Sequence, residues 1–109
     1  MEQLDQDILN WIGEQTGDAA LSAQLQSARV KKRDYMRTGF FVYFEADEDQ
    51  QAIESSVRPV CPHINSPELM DGAGCSLFLR NGRLHYLEVY ARGGFMPESL
   101  EDYQLMVAE

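Results

Sequence analysis

The chain has 109 residues, of which 44% are hydrophobic and 25% are charged, and its formal net charge is −9. This length and composition are those of one globular domain with a modest core, which excludes a largely disordered chain. An acidic surface repels phosphate backbones and anionic membranes, so we expect no nucleic acid and no membrane as partner. The charge serves either solubility alone or attraction to a basic protein.

The sequence predicts a cytoplasmic protein. No apolar run approaches the roughly 20 residues that a membrane helix requires. The opening segment, MEQLDQDIL, is acidic and amphipathic, unlike a secretory signal. Two cysteines without such a signal predict free thiols in a reducing compartment.

The helical segment 1–28 predicts two helices. Between residues 2 and 15, apolar side chains recur at spacings of three and four, the period of an amphipathic helix. Gly17 is a candidate terminator, and Asp18 is placed to cap a second helix over residues 19–29. The alternative is one helix broken near Gly17.

Residues 29–94 predict an antiparallel sheet of four to five strands. Segment 29–37 is basic and suits an exposed edge strand, because charge on an edge discourages pairing with other chains. Segment 40–46, FFVYFEA, is aromatic and β-branched, so we expect a central strand covered on both faces, with its rings packed in the core. Segment 52–60 is a weaker strand, and its Pro59 favours a strand end.

Two irregular segments complete the chain. Segment 61–74 contains two prolines and two glycines and is predicted to be the longest loop, a kind of segment that is often functional. The C-terminal tail, 95–109, begins with a turn at Pro97 and continues as a short helix or one more strand. The whole chain, 1–109, is therefore predicted to be a single α+β domain with two N-terminal helices packed on an antiparallel sheet.

The segment GCSLFLRNGRLHYLEVYARGG, residues 74–94, is the most strongly patterned stretch. Asn81 and Gly82 lie between two apolar runs, and both tolerate the positive φ of a two-residue hairpin turn. If both strands continue without interruption, Cys75 lies opposite Glu88 and alternation sorts the side chains onto two faces. The first, which we call the mixed hairpin face, carries Cys75, Leu77, Leu79, Leu84, Tyr86, Glu88 and Tyr90; the second carries Ser76, Phe78, His85, Leu87 and Val89.

Glu88 is the one acidic residue of this hairpin. In one interpretation it is a partly exposed carboxylate that bonds a tyrosine hydroxyl or pairs with an arginine. In the other it lies at the floor of a cleft between helices and sheet, with a raised pKa. The first is favoured because the sequence places no second catalytic residue beside it. The second would make Glu88, Tyr90, His63 and Tyr86 the ligand-binding residues.

Five short motifs occur in order between residues 72 and 90: Gly72-Ala73-Gly74, Leu77-Phe78, Asn81-Gly82, Leu87-Glu88 and Tyr90. They follow a Pro/Glu/Leu loop at residues 66–69. This set resembles a pattern in a family of small bacterial proteins without an established function, and covers about a quarter of the chain. The resemblance implies such a hairpin and no activity. The family pattern usually has a large apolar residue at the position of Cys75, which argues against a catalytic thiol.

Metal and nucleophile chemistry has little support in the sequence. The Cys and His residues are Cys61, His63, Cys75 and His85, and their spacing matches no familiar zinc motif. Cys61 and His63 lack an orienting third group and an oxyanion hole. We therefore predict no metal, no cofactor and no catalytic residue.

These observations favour a non-enzymatic protein-binding module, adaptor- or immunity-like in its size and charge. Another protein is the expected partner, and its contact surface is the loop 61–74 together with the mixed hairpin face. A homodimer through the same face would also cover it. The alternative function is a small-molecule binder or minor enzyme that uses the cleft near Glu88, Tyr90 and His63.

Overall fold

The computed structural model describes residues 1–108, which form two helices and one six-stranded antiparallel sheet. The helices are α1 (Gln3–Thr16) and α2 (Ala19–Gln26). The strands are β1 (Val30–Met36), β2 (Gly39–Phe44), β3 (His63–Asn65), β4 (Ala73–Arg80), β5 (Arg83–Ala91) and β6 (Gln104–Met106), and they lie side by side in the order β1-β2-β5-β4-β3-β6. The predicted α+β class is confirmed, with slightly more strands than the four to five expected.

Both helices begin where the sequence predicts. Gly17 ends α1 with a φ of 70°, and its N–H donates to the Gly13 carbonyl. The Leu21 N–H donates to the Asp18 carboxylate at 2.9 Å, which caps α2. The alternative of a single broken helix is therefore wrong, and α2 ends at Gln26 rather than at residue 29.

The helices pack on one face of the sheet, which we call the core face. Alternation along β2 directs Phe40, Val42 and Phe44 to this face, and all three are buried. Other members of the same hydrophobic cluster are Leu4, Ile8, Leu9, Ile12, Leu21 and Leu25 of the helices and Ile64, Ala73, Cys75, Leu77, Leu84, Leu87 and Val89 of the sheet. The opposite side of the sheet, which we call the open face, contributes nothing to this cluster.

The predicted turn at Asn81 and Gly82 is confirmed, with φ values of 54° and 74°. The predicted register is wrong beyond it. The first pairs, Arg80 with Arg83 and Leu79 with Leu84, are as expected, but Phe78 then pairs with Tyr86 rather than His85. The extra residue in β5 is a β-bulge at His85, and every later residue of β5 changes face.

The bulge divides the mixed hairpin face. Its members from β4, together with Leu84, lie on the core side of the sheet. Tyr86, Glu88 and Tyr90 lie on the open face, where Glu88 pairs with Ser76 instead of Cys75. The shift places Leu87 and Val89 in the core, and their burial is the physical reason for the correction.

Two further expectations about strands are wrong, and one is confirmed. Segment 52–60 is not a strand: Val57 N–H closes a turn onto Glu54, and Ile53 fills the core as a single buried side chain. The loop 61–74 contains β3, which pairs with β4 at Ile64 and Ala73. The tail contributes β6, paired with β3, which confirms the alternative of one more strand over that of a short helix.

Gln24 joins α2 to the hairpin from inside the core. Its side chain is buried, and its Nε2 donates to the carbonyls of Gln51 and Gly82, each at 2.9 Å. Its Oε1 accepts the Leu84 N–H at 3.2 Å. A buried amide with all these bonds made fixes the helix relative to the turn and the start of β5.

An ion pair joins α1 to the edge strand β1. Asp5 is only 1% exposed, and its Oδ2 accepts from Arg33 Nε at 2.9 Å. The Arg33 guanidinium also lies over the Phe40 ring, 3.9 Å from its centroid. Burial raises the pKa of Asp5 above its ordinary value, although the bonds to Arg33 oppose that shift.

Two tyrosine hydroxyl groups connect the C-terminal tail to α1 and to β1. The Tyr103 hydroxyl donates to Asp7 of α1 at 2.6 Å, and burial together with this bond raises the pKa of Tyr103 to about 12. The Tyr35 hydroxyl donates to the Met96 carbonyl. These contacts hold residues 96–103 against α1 and β1.

Replacing Gln24 with Leu should lower the free energy of unfolding by about 1–3 kcal/mol, because the buried Leu84 N–H loses its acceptor. Gln26→Leu, on an exposed position of the same helix, should change it by less than about 0.5 kcal/mol. Urea denaturation of both variants measures the difference. Equal stability of the two would show that the Gln24 bonds do not hold the hairpin.

Asp5 should make stability depend on pH with a defined sign. Because its pKa is raised in the folded state, the contribution of Asp5 is complete below its ordinary pKa and is lost as pH rises through the raised value. The unfolding free energy of the wild type should therefore increase relative to Asp5→Asn as pH falls. Urea titrations from about pH 7 to pH 3 test this, with Glu54→Gln as the exposed control. A difference that grows in the opposite direction would mean that Arg33 outweighs burial.

Candidate functional site

The open face carries a continuous group of aromatic side chains. Phe41 and Tyr43 project from β2 between the buried residues of that strand, so the expectation that β2 is covered on both faces is wrong. The bulge brings Tyr86 and Tyr90 to the same side, and Phe78 faces Tyr86 from β4. We call these residues the aromatic patch: Phe41, Tyr43, Phe78, Tyr86 and Tyr90.

Tyr86 is the centre of the aromatic patch. Its ring stacks on Phe78 with centroids 4.5 Å apart and an interplanar angle of 20°. It also lies 5.8 Å from Phe41 and 5.7 Å from Tyr43. The rings nevertheless stay accessible: Phe78 is 39% exposed and the other two neighbours are half-buried. The expectation that the rings of segment 40–46 pack in the core is therefore confirmed for Phe40 and Phe44 and wrong for Phe41 and Tyr43, which pack on each other and on Tyr86.

Tyr90 occupies space that exists because residue 74 has no side chain. Gly74 faces Tyr90 across the β4–β5 ladder, and a β-carbon at Gly74 would lie 2.5 Å from the Tyr90 hydroxyl oxygen. The tyrosine therefore lies across the strand rather than projecting away from it. This arrangement extends the aromatic patch toward β3.

Glu88 lies among these rings. It pairs with Phe41 of β2 and Ser76 of β4, and it is flanked along β5 by Tyr86 and Tyr90. Its side chain is half-buried, and among residues 1–108 it forms no hydrogen bond and no ion pair. Neither bond expected for a structural role, to a tyrosine hydroxyl or an arginine, is present in that range. Its carboxylate is available to a cation from outside.

Cations of the chain itself lie at both margins of the aromatic patch. Lys32 Nζ is 5.4 Å from the Tyr43 centroid and pairs with Asp34 at 3.2 Å. Arg92 lies 5.7 Å from the Tyr90 centroid, and its Nε donates to His63 Nδ1 at 3.2 Å. The faces of the Tyr43 and Tyr90 rings attract positive charge, and Lys32 and Arg92 of the same chain already lie near them.

The four residues predicted for ligand binding are brought to one face. Tyr86, Glu88 and Tyr90 follow one another on the open side of β5, and His63 joins them through Arg92. The predicted cleft between helices and sheet is wrong, because this face is opposite the helices. Phe41, Tyr43 and Phe78 were not among the predicted residues, although their alternation with buried residues is a signal of an uncovered face.

A groove of about 750 Å³ lies at the hairpin end of the sheet, away from Glu88. Its lining combines the cations Lys31, Arg80 and Arg83 with the carboxylates Glu45 and Glu48. The charges largely cancel, so the groove selects neither anions nor cations strongly.

Within residues 1–108, no three or more Cys, His, Asp and Glu side chains are grouped to hold a metal. Cys61 and Cys75 are free thiols close to each other, while His63 is engaged with Arg92. The same part of the chain has no helix of the length and apolar character needed to cross a membrane.

Comparison with protein-family models, with curated proteins and with solved structures found no match to this chain. The resemblance of residues 72–90 to a family of small bacterial proteins therefore stays a prediction. The function must be inferred from the open face itself.

Proposed function

We propose that this protein is a non-enzymatic protein-binding module whose open face receives a basic segment of its partner. A Lys or Arg of that segment pairs with Glu88 while its neighbours lie on the aromatic patch. The observation that carries the proposal is the half-buried Glu88, unpaired within residues 1–108 and surrounded by accessible rings.

The chemistry of the aromatic patch supports contact with a protein. Tyrosine supplies a large rigid surface and a hydroxyl, and aromatic residues are enriched where binding energy concentrates. A contiguous apolar surface that the fold leaves uncovered usually marks an interaction site. The two helices and the tail cover the core face, so within residues 1–108 no element covers the aromatic patch.

The charge of the chain supports a basic partner. The net charge of −9 accelerates encounter with cationic surfaces. At close range, a guanidinium or ammonium over an aromatic ring gains about 0.5–2 kcal/mol as its solvent is removed. Glu88 adds a carboxylate at the centre of the rings and thereby fixes where the cation binds.

A second copy of the chain is a poorer occupant of this face. A symmetric dimer would bring two chains of charge −9 together with the same surface on both. Like charges in one interface cost binding energy and suppress that pairing. The small-molecule alternative has less support too, because ligand sites are usually concave and this face is the side of a sheet.

Reversing the charge of Glu88 tests the proposal. Two synthetic peptides of equal length, one of Arg and Ser and one of Glu and Ser, are titrated into labelled protein and followed by NMR. The Arg peptide should shift the signals of Tyr86, Glu88 and Phe41, and the Glu peptide should not. Glu88→Lys should weaken binding of the Arg peptide by about tenfold or more, equivalent to about 1.4 kcal/mol.

Glu54→Lys is the matched control, since it alters net charge equally at an exposed position outside the open face. It should weaken binding far less than Glu88→Lys does. Equal losses in both variants, or shifts spread over the whole acidic surface, would contradict a site at Glu88. Sedimentation of the free protein at increasing concentration tests the dimer directly, and self-association lost in Glu88→Lys would replace the proposal by that alternative.

The aromatic patch should matter for binding more than for stability. Phe78→Ala, at an exposed ring, should lower the free energy of unfolding by less than about 1.5 kcal/mol, mainly from the lost stacking on Tyr86. Phe40→Ala, at a buried ring on the core face of β2, should cost about 3–5 kcal/mol. Thermal and urea denaturation provide both values. A loss at Phe78 as large as that at Phe40 would identify the patch as a second core rather than a contact surface.

A further inference from the structure

Two thiols lie together on the core side of the sheet. Cys75, in β4, is 7% exposed and belongs to the hydrophobic core, while Cys61 packs against that core and is half-buried. The Cys75 Sγ lies 3.2 Å from the carbonyl of Pro62, the residue next to Cys61. The Cys75 S–H donates to that carbonyl, and the two thiols are near enough for each to shift the pKa of the other.

We propose that Cys61 and Cys75 are a redox modification site, in which a hydroperoxide converts the two thiols to a reversible intramolecular disulfide. Cys61 is the nucleophile that reacts with the oxidant. Cys75 is the resolving thiol. This site is independent of the proposed function, since it lies on the opposite side of the sheet from Glu88.

The surroundings of the two sulfurs assign these roles. The neighbouring Cys75 thiol and the Leu77 backbone N–H lower the pKa of Cys61, although burial opposes them. The neighbouring Cys61, together with burial, raises the pKa of Cys75. Only Cys61 therefore combines thiolate character with access to solvent, the two properties that decide which cysteine is oxidised.

The chemistry balances with a hydroperoxide as the named oxidant. The Cys61 thiolate attacks one peroxide oxygen, an S–O bond forms as the O–O bond breaks, and the electron pair leaves on the second oxygen, which takes a proton. Cys61 is then a sulfenic acid. The Cys75 sulfur attacks it, the S–S bond forms, and the sulfenic oxygen leaves as water with the Cys75 proton. The two thiols lose two electrons and two protons, and the peroxide is reduced.

The fold favours this product over others. The Cys75 Sγ lies 3.2 Å from the carbonyl oxygen of the residue next to Cys61, and Cys61 packs against the same core, so closure of the disulfide requires only a local approach of the two sulfurs. Burial of Cys75 prevents it from reacting with a second molecule, which disfavours an intermolecular disulfide. A disulfide that forms and is reduced again is the type found in compartments that otherwise keep thiols reduced.

The experiment treats the native wild-type protein with hydrogen peroxide and counts free thiols by alkylation and mass spectrometry. We expect a monomer that has lost two hydrogens, with a Cys61–Cys75 link in its peptide map, reversed by dithiothreitol. In Cys75→Ser the sulfenic acid at Cys61 should persist and be trapped by dimedone. In Cys61→Ser the remaining Cys75 should stay reduced under the same treatment.

Alkylation of the reduced wild type requires no variant and keeps the test decisive if either substitution disrupts folding. Cys61 should react about tenfold faster than Cys75 in the native protein, and the two should react alike in guanidinium. Equal native rates, a product that is mainly an intermolecular dimer, or over-oxidation of Cys61 without any disulfide would each overturn the proposal.

Discussion

The β-bulge at His85 is the constraint on which both sides of this molecule depend. One extra residue in β5 lets Leu87 and Val89 enter the core, where strict alternation from the turn would have placed Glu88. The same step creates the open face, because it turns the tyrosines of β5 away from the helices. Gln24 bonds the backbone at Gly82 and Leu84, immediately before the bulge. Through these bonds, α2 fixes the position in β5 after which the side chains alternate between the core face and the open face.

Parts of the fold with a strong local signal could be predicted from the sequence. Gly17, Asp18 and the pair Asn81-Gly82 act through their own backbone or nearest neighbours, so the end of α1, the start of α2 and the hairpin turn could be predicted. The bulge leaves a weaker trace: the buried residues of β5 are spaced by three from Leu84 and then by two. Strands β3 and β6 have only three residues each and are defined by partners distant in sequence, which no local pattern encodes.

The residues of the candidate site could be predicted from the sequence, but their location in the fold could not. Tyr86, Glu88, Tyr90 and His63 were selected as residues, but their location in a cleft depended on the assumed register. Aromatic composition alone does not say which side of a strand is covered. Whether both sides of the sheet are covered depends on how many helical residues can pack on it. Helices of 14 and 8 residues cover only one face of this six-stranded sheet. The rings of β2 that alternate with the core were left uncovered as a result.

The edges of the sheet indicate why a partner would lie on the open face rather than extend the sheet. β1 exposes one edge, but Lys31 and Lys32 are exposed along it, and such charges discourage an added strand. The other edge, β6, offers only three residues for pairing. Backbone pairing is therefore weak at both edges, while the open face offers accessible rings and the carboxylate of Glu88. A partner on this face gains its affinity from side chains, so its specificity depends on where its cations lie relative to Glu88.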